Sequence, residues 1–168
     1  MPPKTSNAPI VDLLFDSPLW GQSRLGCRAL VPSLIALSWK NVPDKPKGII
    51  PEVTVTLTDD AYIQELNRDH RTKDKPTNVL SFPNFEHMSE IPSGIGEVPI
   101  GDIIVAFETV KRESIEQGKP FKDHFSHMIV HGFLHLLGYD HISDPQAEEM
   151  ESLEVKILKK LDIPNPYN

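Results

Sequence analysis

Cysteine is almost absent from this chain of 168 residues, which contains Cys27 and no second one. An internal disulfide and a cysteine-rich zinc knuckle are therefore excluded, and a lone thiol fits a reducing cytosol. Long apolar runs are missing as well: no stretch approaches the roughly 18 apolar residues of a membrane span. Asp12 and Asp16 interrupt the apolar residues near the start, so no signal-peptide core is present. We expect a soluble cytoplasmic protein with no membrane partner.

A surplus of basic residues is lacking too. The chain has 17 Lys and Arg against 24 Asp and Glu, which gives a formal net charge of −7. No overall positive field attracts nucleic acid, so DNA is not expected as a partner, and RNA would need a local basic patch. The length suffices for one compact domain with a core but hardly for two, so we predict a single domain over 1–168.

Hydrophobic periodicity predicts an α+β domain with a small mixed β-sheet flanked by helices. The expected strands are 10–15, 53–57, 78–82 and 101–107. The expected helices are 20–39, a helix capped by Asp59 or Asp60 and ending near 71, 108–117, 122–137 and 144–161. Pro32 should kink or break the first helix. Asp144 as the N-cap and Pro145 in the first turn should begin the last helix. The segment 84–99, with two prolines and two glycines, predicts a flexible loop, and 1–7 and 163–168 predict loosely ordered tails.

Three histidines near the end of the fourth helix form the strongest pattern in the chain, His131-x3-His135-x5-His141. On a helix, residues four apart project from one face about 6 Å apart along the axis, a geometry in which two imidazoles can share one metal ion. Gly138 can adopt positive φ and end the helix, which would return His141 towards the first two. Three neutral nitrogen ligands leave a fourth position open, as in a catalytic zinc site. The pattern therefore predicts one Zn²⁺ per chain at the end of this helix.

The helix around these histidines is apolar on all sides from Met128 to Leu137, which predicts that it is buried. A buried histidine needs a polar partner, and a metal satisfies several at once. The alternative is that the histidines are separate, each with an ordinary hydrogen bond. His124 and His127 lie one or two turns earlier, and for them an ordinary solvated or hydrogen-bonded role is favoured over a place behind the metal ligands.

The histidine spacing overlaps the signature of metzincin metalloproteases. In that signature a glutamate, the general base for peptide hydrolysis, follows the first histidine, and here Gly132 takes its place. A metzincin-like protease is therefore the second choice.

The densest basic segment covers residues 67–75 and supplies Arg71, Lys73 and Lys75 as candidate substrate-binding residues. A guanidinium offers a fixed fork of donors that suits a phosphate oxygen. From composition alone the opposite interpretation is favoured, in which these cations are solvated at the negative end of a helix dipole.

Together, these motifs resemble the YbeY family of bacterial endoribonucleases, over about Val53 to Tyr167. Four motifs in the same order carry the resemblance: Leu66-Asn67 with Arg71, the run KDKPTNVLSFP at 73–83, Gly101-Asp102-Ile103, and His131-Gly132 through His141. The first fifty residues show no comparable match.

The resemblance implies hydrolysis of single-stranded RNA in the maturation of small-subunit rRNA ends and in ribosome quality control. It implies zinc held by His131, His135 and His141, with His131 and Arg71 at the catalytic centre. The small ribosomal subunit and its assembly factors are the implied partners. A zinc-bound water ionises near neutral pH, so no glutamate is required, and an arginine can stabilise phosphate charge.

One position departs from the pattern, since many family members have an aspartate where this chain has Asn78. An amide keeps a hydrogen bond but cannot act as a base, so no base role is assigned there. A non-enzymatic alternative also remains, in which the chain is a ribosome-assembly factor whose metal mainly holds the fold.

Overall fold

A computed structural model describes residues 7–168, so residues 1–6 of the expected first tail lie outside the described residues. Within the described part, the strands are β1 (Ile10–Phe15), β2 (Ile49–Thr58), β3 (Val79–Pro83) and β4 (Gly96–Ala106). The helices are α1 (Leu19–Gln22), α2 (Cys27–Asn41), α3 (Asp60–Arg71), α4 (Phe107–Glu116), α5 (Phe121–Leu136) and α6 (Asp144–Lys159). None of these helices combines the length and apolar character that a membrane span requires.

The four strands form one sheet in the order β1-β2-β4-β3. The pairs β1–β2 and β2–β4 are parallel, and β3 runs antiparallel to β4. The predicted small mixed sheet flanked by helices is confirmed.

The central strand β4 is buried on both faces, because its alternate residues enter two different apolar clusters. Ile103 and Val105 belong to the main core, which α2, α5 and α6 complete. Ile104 and Ala106 belong to a smaller cluster with Ile63 of α3. This alternation follows from the two-residue period of a strand, and it places α3 on the face opposite α5.

Helix α5 lies at the centre of the main core and contacts α2, α4, α6, β3 and β4. Its Phe125, Ile129 and Phe133 are fully buried. The prediction that an all-round apolar helix is buried is therefore confirmed. Its packing on five elements fixes the direction in which its histidines project.

The N-terminal helical region differs from the predicted single helix over 20–39. It consists of α1 and α2, and the break falls between them rather than at Pro32, which lies inside α2. Gly26 adopts a left-handed conformation at φ 66° immediately before α2. Glycine tolerates this conformation without a steric cost, so the chain turns there.

Several predicted boundaries were also wrong. Ser143, not Asp144, is the N-cap of α6: its hydroxyl accepts from the Gln146 N–H, while the Gln146 side chain accepts from the Ser143 N–H. β2 begins at Ile49, before the predicted 53, and β3 includes Pro83. The loop predicted over 84–99 is shorter, because β4 already begins at Gly96 and Met88–Glu90 form a 3₁₀ turn.

Candidate metal centre

Two histidines project side by side from the last turns of α5. The Nε2 atoms of His131 and His135 lie 3.0 Å apart, and their rings are nearly perpendicular with centroids 4.5 Å apart. The i, i+4 spacing accounts for the proximity, because one helical turn separates the two residues.

Gly138 ends α5 and redirects the chain. The Gly138 N–H donates to the His135 carbonyl and the Tyr139 N–H to the Leu134 carbonyl, the pair of bonds that defines a Schellman motif. Gly138 adopts φ 92°, which confirms the predicted positive φ. A Cβ there would also lie 3.1 Å from the Glu86 carbonyl oxygen, so the backbone leaves little room for a side chain.

The turn brings His141 back to the other two histidines, as the sequence predicts. Its ring centroid lies 5.7 Å from that of His131 and 5.2 Å from that of His135. One candidate ligand atom from each residue lies within 4.8 Å of the others. Three imidazole nitrogens therefore converge on one point at the end of a buried helix.

The hydrogen bonds of His131 fit a metal at that point. Its Nδ1 lies 2.5 Å from the Glu154 carboxylate, which can only accept, so the proton sits on Nδ1. The lone pair of His131 Nε2 then faces His135 Nε2. Two ring nitrogens this close repel each other unless a proton or a cation lies between them, and a divalent metal satisfies both.

The protonation of His135 also suits a ligand. Burial, with the neighbouring imidazoles of His131 and His141, lowers the pKa of His135 from its ordinary 6.5 to about 4. The ring is therefore neutral at pH 7, which is the form that binds a metal.

Behind His131 lies Glu154 of α6, whose side chain is fully buried. Burial alone would raise the pKa of the Glu154 carboxyl, but the hydrogen bonds from His127 and His131 outweigh it and lower the pKa to about 2. Its second oxygen accepts from the Tyr167 hydroxyl and lies 3.6 Å from His127 Nε2. Glu154 is thus an ionised group within the core, with hydrogen bonds from His131 and Tyr167 and with the His127 ring beside it.

A second hydrogen-bonded network lies two turns before His131 on α5. His124 Nε2 lies 3.1 Å from Glu113 of α4, and the Asn78 amide donates to the same carboxylate at 3.0 Å. Burial raises the pKa of the Glu113 carboxyl, yet the hydrogen bonds from His124 and Asn78 leave it lower than its ordinary value. The amide at position 78 is therefore a donor, a role that an ionised aspartate could not fill. Of the two early histidines, His124 has an ordinary hydrogen-bonded role, whereas His127 lies behind a candidate metal ligand.

All of the predicted site residues line one cleft of about 620 Å³. One wall carries the three histidines. Another part of the lining, here called the cationic wall, follows the end of α3 and the start of β3 and includes Arg71, Lys73 and Lys75. The acidic Glu86 and Asp140 line the same cleft. The cleft therefore combines a candidate metal-binding end with a cationic wall.

Arg71 is fixed at the cleft wall. Its Nη2 donates to the Ser81 carbonyl at 3.0 Å, and its guanidinium carbon lies 5.9 Å from the centroid of the Phe82 ring. Four residues after Arg71, the backbone carbonyl of Lys75 accepts from the Asn67 side chain at 2.9 Å. These contacts hold the backbone of the segment and the Arg71 guanidinium in place, which distinguishes the segment from a freely solvated helix end.

Gly132 lies where α5 approaches the sheet most closely. A Cβ there would lie 3.0 Å from Ile103 Cγ2 and 3.2 Å from the Ser81 hydroxyl, which donates to the Gly132 carbonyl. Metzincins carry a glutamate at this position. Here the close contact between α5 and the sheet leaves little room for a side chain.

Sequence reasoning missed Glu154 and Tyr167. A signal for Glu154 existed, because it adjoins the apolar stripe of α6 that includes Met150, Leu153 and Ile157, and a carboxylate at a core-facing position needs a partner. No sequence pattern indicated a role for Tyr167, because its contact with Glu154 depends on how residues 163–168 fold back onto the core.

Comparison with known proteins gives a consistent result. The family model described as Endoribonuclease YbeY matches residues 27–162. A protein of Sinorhizobium fredii named Endoribonuclease YbeY is 50% identical over 140 residues, covering 82% of this chain and 75% of that protein. The protein of the same name from Bradyrhizobium diazoefficiens is 45% identical over 161 residues, covering 96% and 86%. The solution structure of TM1509 from Thermotoga maritima superposes with a TM-score of 0.56 at 25% identity, covering 91% of this chain and 92% of that one.

Proposed function

This chain belongs to the YbeY family of endoribonucleases, and we propose that it is a zinc-dependent enzyme that cleaves single-stranded RNA during rRNA maturation. The observation that supports this proposal most is that one cleft is lined both by His131, His135 and His141 and by three basic residues, Arg71, Lys73 and Lys75. A metal ligand set and a cationic wall in one open cleft suit a phosphodiester, which carries a negative charge at the bond to be broken.

The three histidines hold the metal through neutral ring nitrogens, the donor type that zinc prefers at catalytic sites. Bound zinc would supply Lewis acidity towards a phosphoryl oxygen and a water that ionises near neutral pH. His131, His135 and His141 contribute ligands from one helix and one turn, so their arrangement is set by the fold.

Arg71 binds the phosphate whose bond is cleaved. Its bond to the Ser81 carbonyl fixes the guanidinium before substrate arrives, and pre-oriented donors stabilise developing negative charge best. Lys73 and Lys75 bind neighbouring phosphates of the strand. An extended single strand fits this arrangement, because its phosphates are accessible one after another.

Peptide hydrolysis is the weaker candidate. A side chain at position 132 would press against Ile103 and Ser81, so a glutamate in the metzincin position would require this packing to shift. No peptidase activity is expected from the purified protein.

The experiment measures cleavage of a fluorescent single-stranded RNA by purified protein, before and after removal of metal with a chelator. Zn²⁺ should restore the activity, His131→Ala should abolish it, and a duplex of the same sequence should survive. Full activity after metal removal or in His131→Ala would contradict the proposal. Zn²⁺ binding without RNA cleavage would favour the alternative of an assembly factor with a structural metal.

Partners on the small ribosomal subunit follow from the same proposal, with roles in trimming small-subunit rRNA ends and in ribosome quality control in the cytoplasm. With a net charge of −7, the free chain has no overall positive field to attract RNA, and a ribosomal surface would bring cleft and substrate together. Co-sedimentation of the purified protein with small subunits tests this association.

A further inference from the structure

The carboxylate of Glu154 connects a proposed metal ligand with the segment that follows α6. Its Oε1 accepts from His131 Nδ1 at 2.5 Å, and its Oε2 accepts from the Tyr167 hydroxyl. The side chain is fully buried, and a buried carboxylate is costly unless several donors satisfy it. The two oxygens therefore hold His131 and Tyr167 in fixed positions relative to each other.

The bond to Glu154 determines which nitrogen of His131 faces the cleft. An ionised carboxylate cannot donate, so His131 carries its proton on Nδ1 and presents the Nε2 lone pair to His135. It also fixes the rotation of the ring about its Cβ–Cγ bond. A partner of this kind typically changes metal affinity or activity 10–100-fold when it is removed.

Tyr167 reaches Glu154 because the segment 163–167 folds back onto the core. Ile163 packs against the main apolar cluster, and the Lys119 ammonium, from the turn between α4 and α5, donates to the Pro166 carbonyl at 3.2 Å. The ring of Tyr167 meets that of His127 edge to face, with centroids 5.6 Å apart. These contacts hold the phenol against Glu154, although the segment was expected to be a loose tail.

We propose that Glu154 and Tyr167 are positioning residues of the metal centre, with Tyr167 orienting Glu154 and Glu154 setting the tautomer and direction of His131. The affinity of the site for zinc then depends on a segment that contributes no metal ligand. This inference rests on the proposed function, because it takes His131 as a ligand.

The test measures the dissociation constant for Zn²⁺ by competition with a chromogenic chelator, and the tautomer of His131 by ¹⁵N NMR. The variants are Glu154→Gln, which keeps the shape but removes the charge, and Tyr167→Phe, which removes the hydroxyl alone. Matched controls are Asp60→Asn, a hydrogen-bonded carboxylate at the start of α3, and Tyr62→Phe on the same helix. Circular dichroism of the metal-free proteins checks folding.

Glu154→Gln should raise the dissociation constant about 10–100-fold, and Tyr167→Phe should raise it by less. In metal-free wild type the His131 proton should reside on Nδ1, whereas Glu154→Gln should populate both tautomers. The controls should bind Zn²⁺ as wild type does. If Glu154→Gln does not fold, Tyr167→Phe decides the question, because it keeps the aromatic ring and its packing.

Wild-type zinc affinity and an unchanged tautomer in both variants would overturn the inference while leaving the proposed function intact. Failure of the proposed function gives a different result, since His131→Ala would then bind Zn²⁺ as tightly as wild type or the wild type would not bind it. In that case the inference falls with it.

Discussion

Each of the three candidate ligands is oriented by a different structural feature. His131 is held by the Glu154 carboxylate, His135 by its position one helical turn further along α5, and His141 by the turn at Gly138. The second and third features depend on local spacing, so the sequence predicted them. The first joins residues 23 positions apart on two helices, and local periodicity gives no information about such a pair.

Gly138 should tolerate no β-branched residue. Positive φ strains such a side chain, and a Cβ would lie 3.1–3.3 Å from the backbone of residues 86–88. Gly138→Val should therefore displace His141 and weaken Zn²⁺ binding by at least tenfold, as measured by chelator competition. Gly118→Val is the control, because Gly118 has φ 64° with open space around it. Equal zinc affinity in the two variants would contradict the role assigned to this turn.

Arg71 should contribute to cleavage and little to zinc binding. Arg71→Ala should lower the cleavage rate about 10²–10³-fold, the usual cost of one charge-stabilising donor. Its lost bond to Ser81 should cost only about 1 kcal/mol of stability. Arg71→Lys should recover part of the rate, since an ammonium lacks the planar fork.

Arg68→Ala is the matched control for Arg71, because Arg68 lies one turn earlier on α3 and pairs with the exposed Asp69. Its RNA cleavage should match wild type. Equal activities of the two alanine variants would identify Arg71 as a solvated helix-end cation. Loss of zinc from Arg71→Ala would show instead that Arg71 supports the structure of the metal site.

At the scale of elements, the sequence predicted the order and type of the main strands and helices, and it erred at their ends. The break before α2 depends on Gly26, and Pro32 is accommodated within a helix that the core holds in place. Likewise β4 begins at Gly96, because pairing with β2 extends it into a segment rich in turn residues. Pairing and packing are long-range effects, so composition alone placed these boundaries poorly.

The junction of β3, α4 and α5 should make stability depend on pH through Glu113. Hydrogen bonds from His124 and Asn78 lower the pKa of this carboxyl in the folded state. Its contribution is therefore complete above the ordinary pKa of about 4.5 and is lost as the pH falls below that value. Glu113→Gln should be less stable than wild type at pH 7, on the order of 1 kcal/mol, and the difference should shrink towards pH 3. Urea unfolding across this range measures it, and a difference independent of pH would show that Glu113 contributes through packing alone.

At the scale of the whole molecule, a net charge of −7 would disfavour an RNA substrate if the charges were spread evenly. They are not spread evenly. The cationic wall of Arg71, Lys73 and Lys75 lines the cleft. The net charge, which is a sum over the whole chain, gives no information about this local group. Sequence composition therefore argued against an RNA partner, whereas the resemblance to the endoribonuclease family argued for one, and a local basic patch is compatible with both. At distances beyond the Debye length the acidic surplus is screened, so the local patch determines binding once the strand is in contact.

The salt dependence of RNA binding should reveal how many cations of the cleft contact phosphates. Each phosphate neutralised on a single strand contributes about 0.7 to the slope of log affinity against log salt concentration, so three contacts predict a slope of about −2. Fluorescence anisotropy with metal-free protein, which does not cleave the strand, measures it. Lys73→Ala and Lys75→Ala should each reduce the slope by about 0.7, whereas Lys159→Ala, an exposed lysine in the last turn of α6, should leave it unchanged. A slope near zero in wild type, or the same change from Lys159→Ala, would mean that the cationic wall does not hold the backbone and that the specific contacts of the strand lie elsewhere.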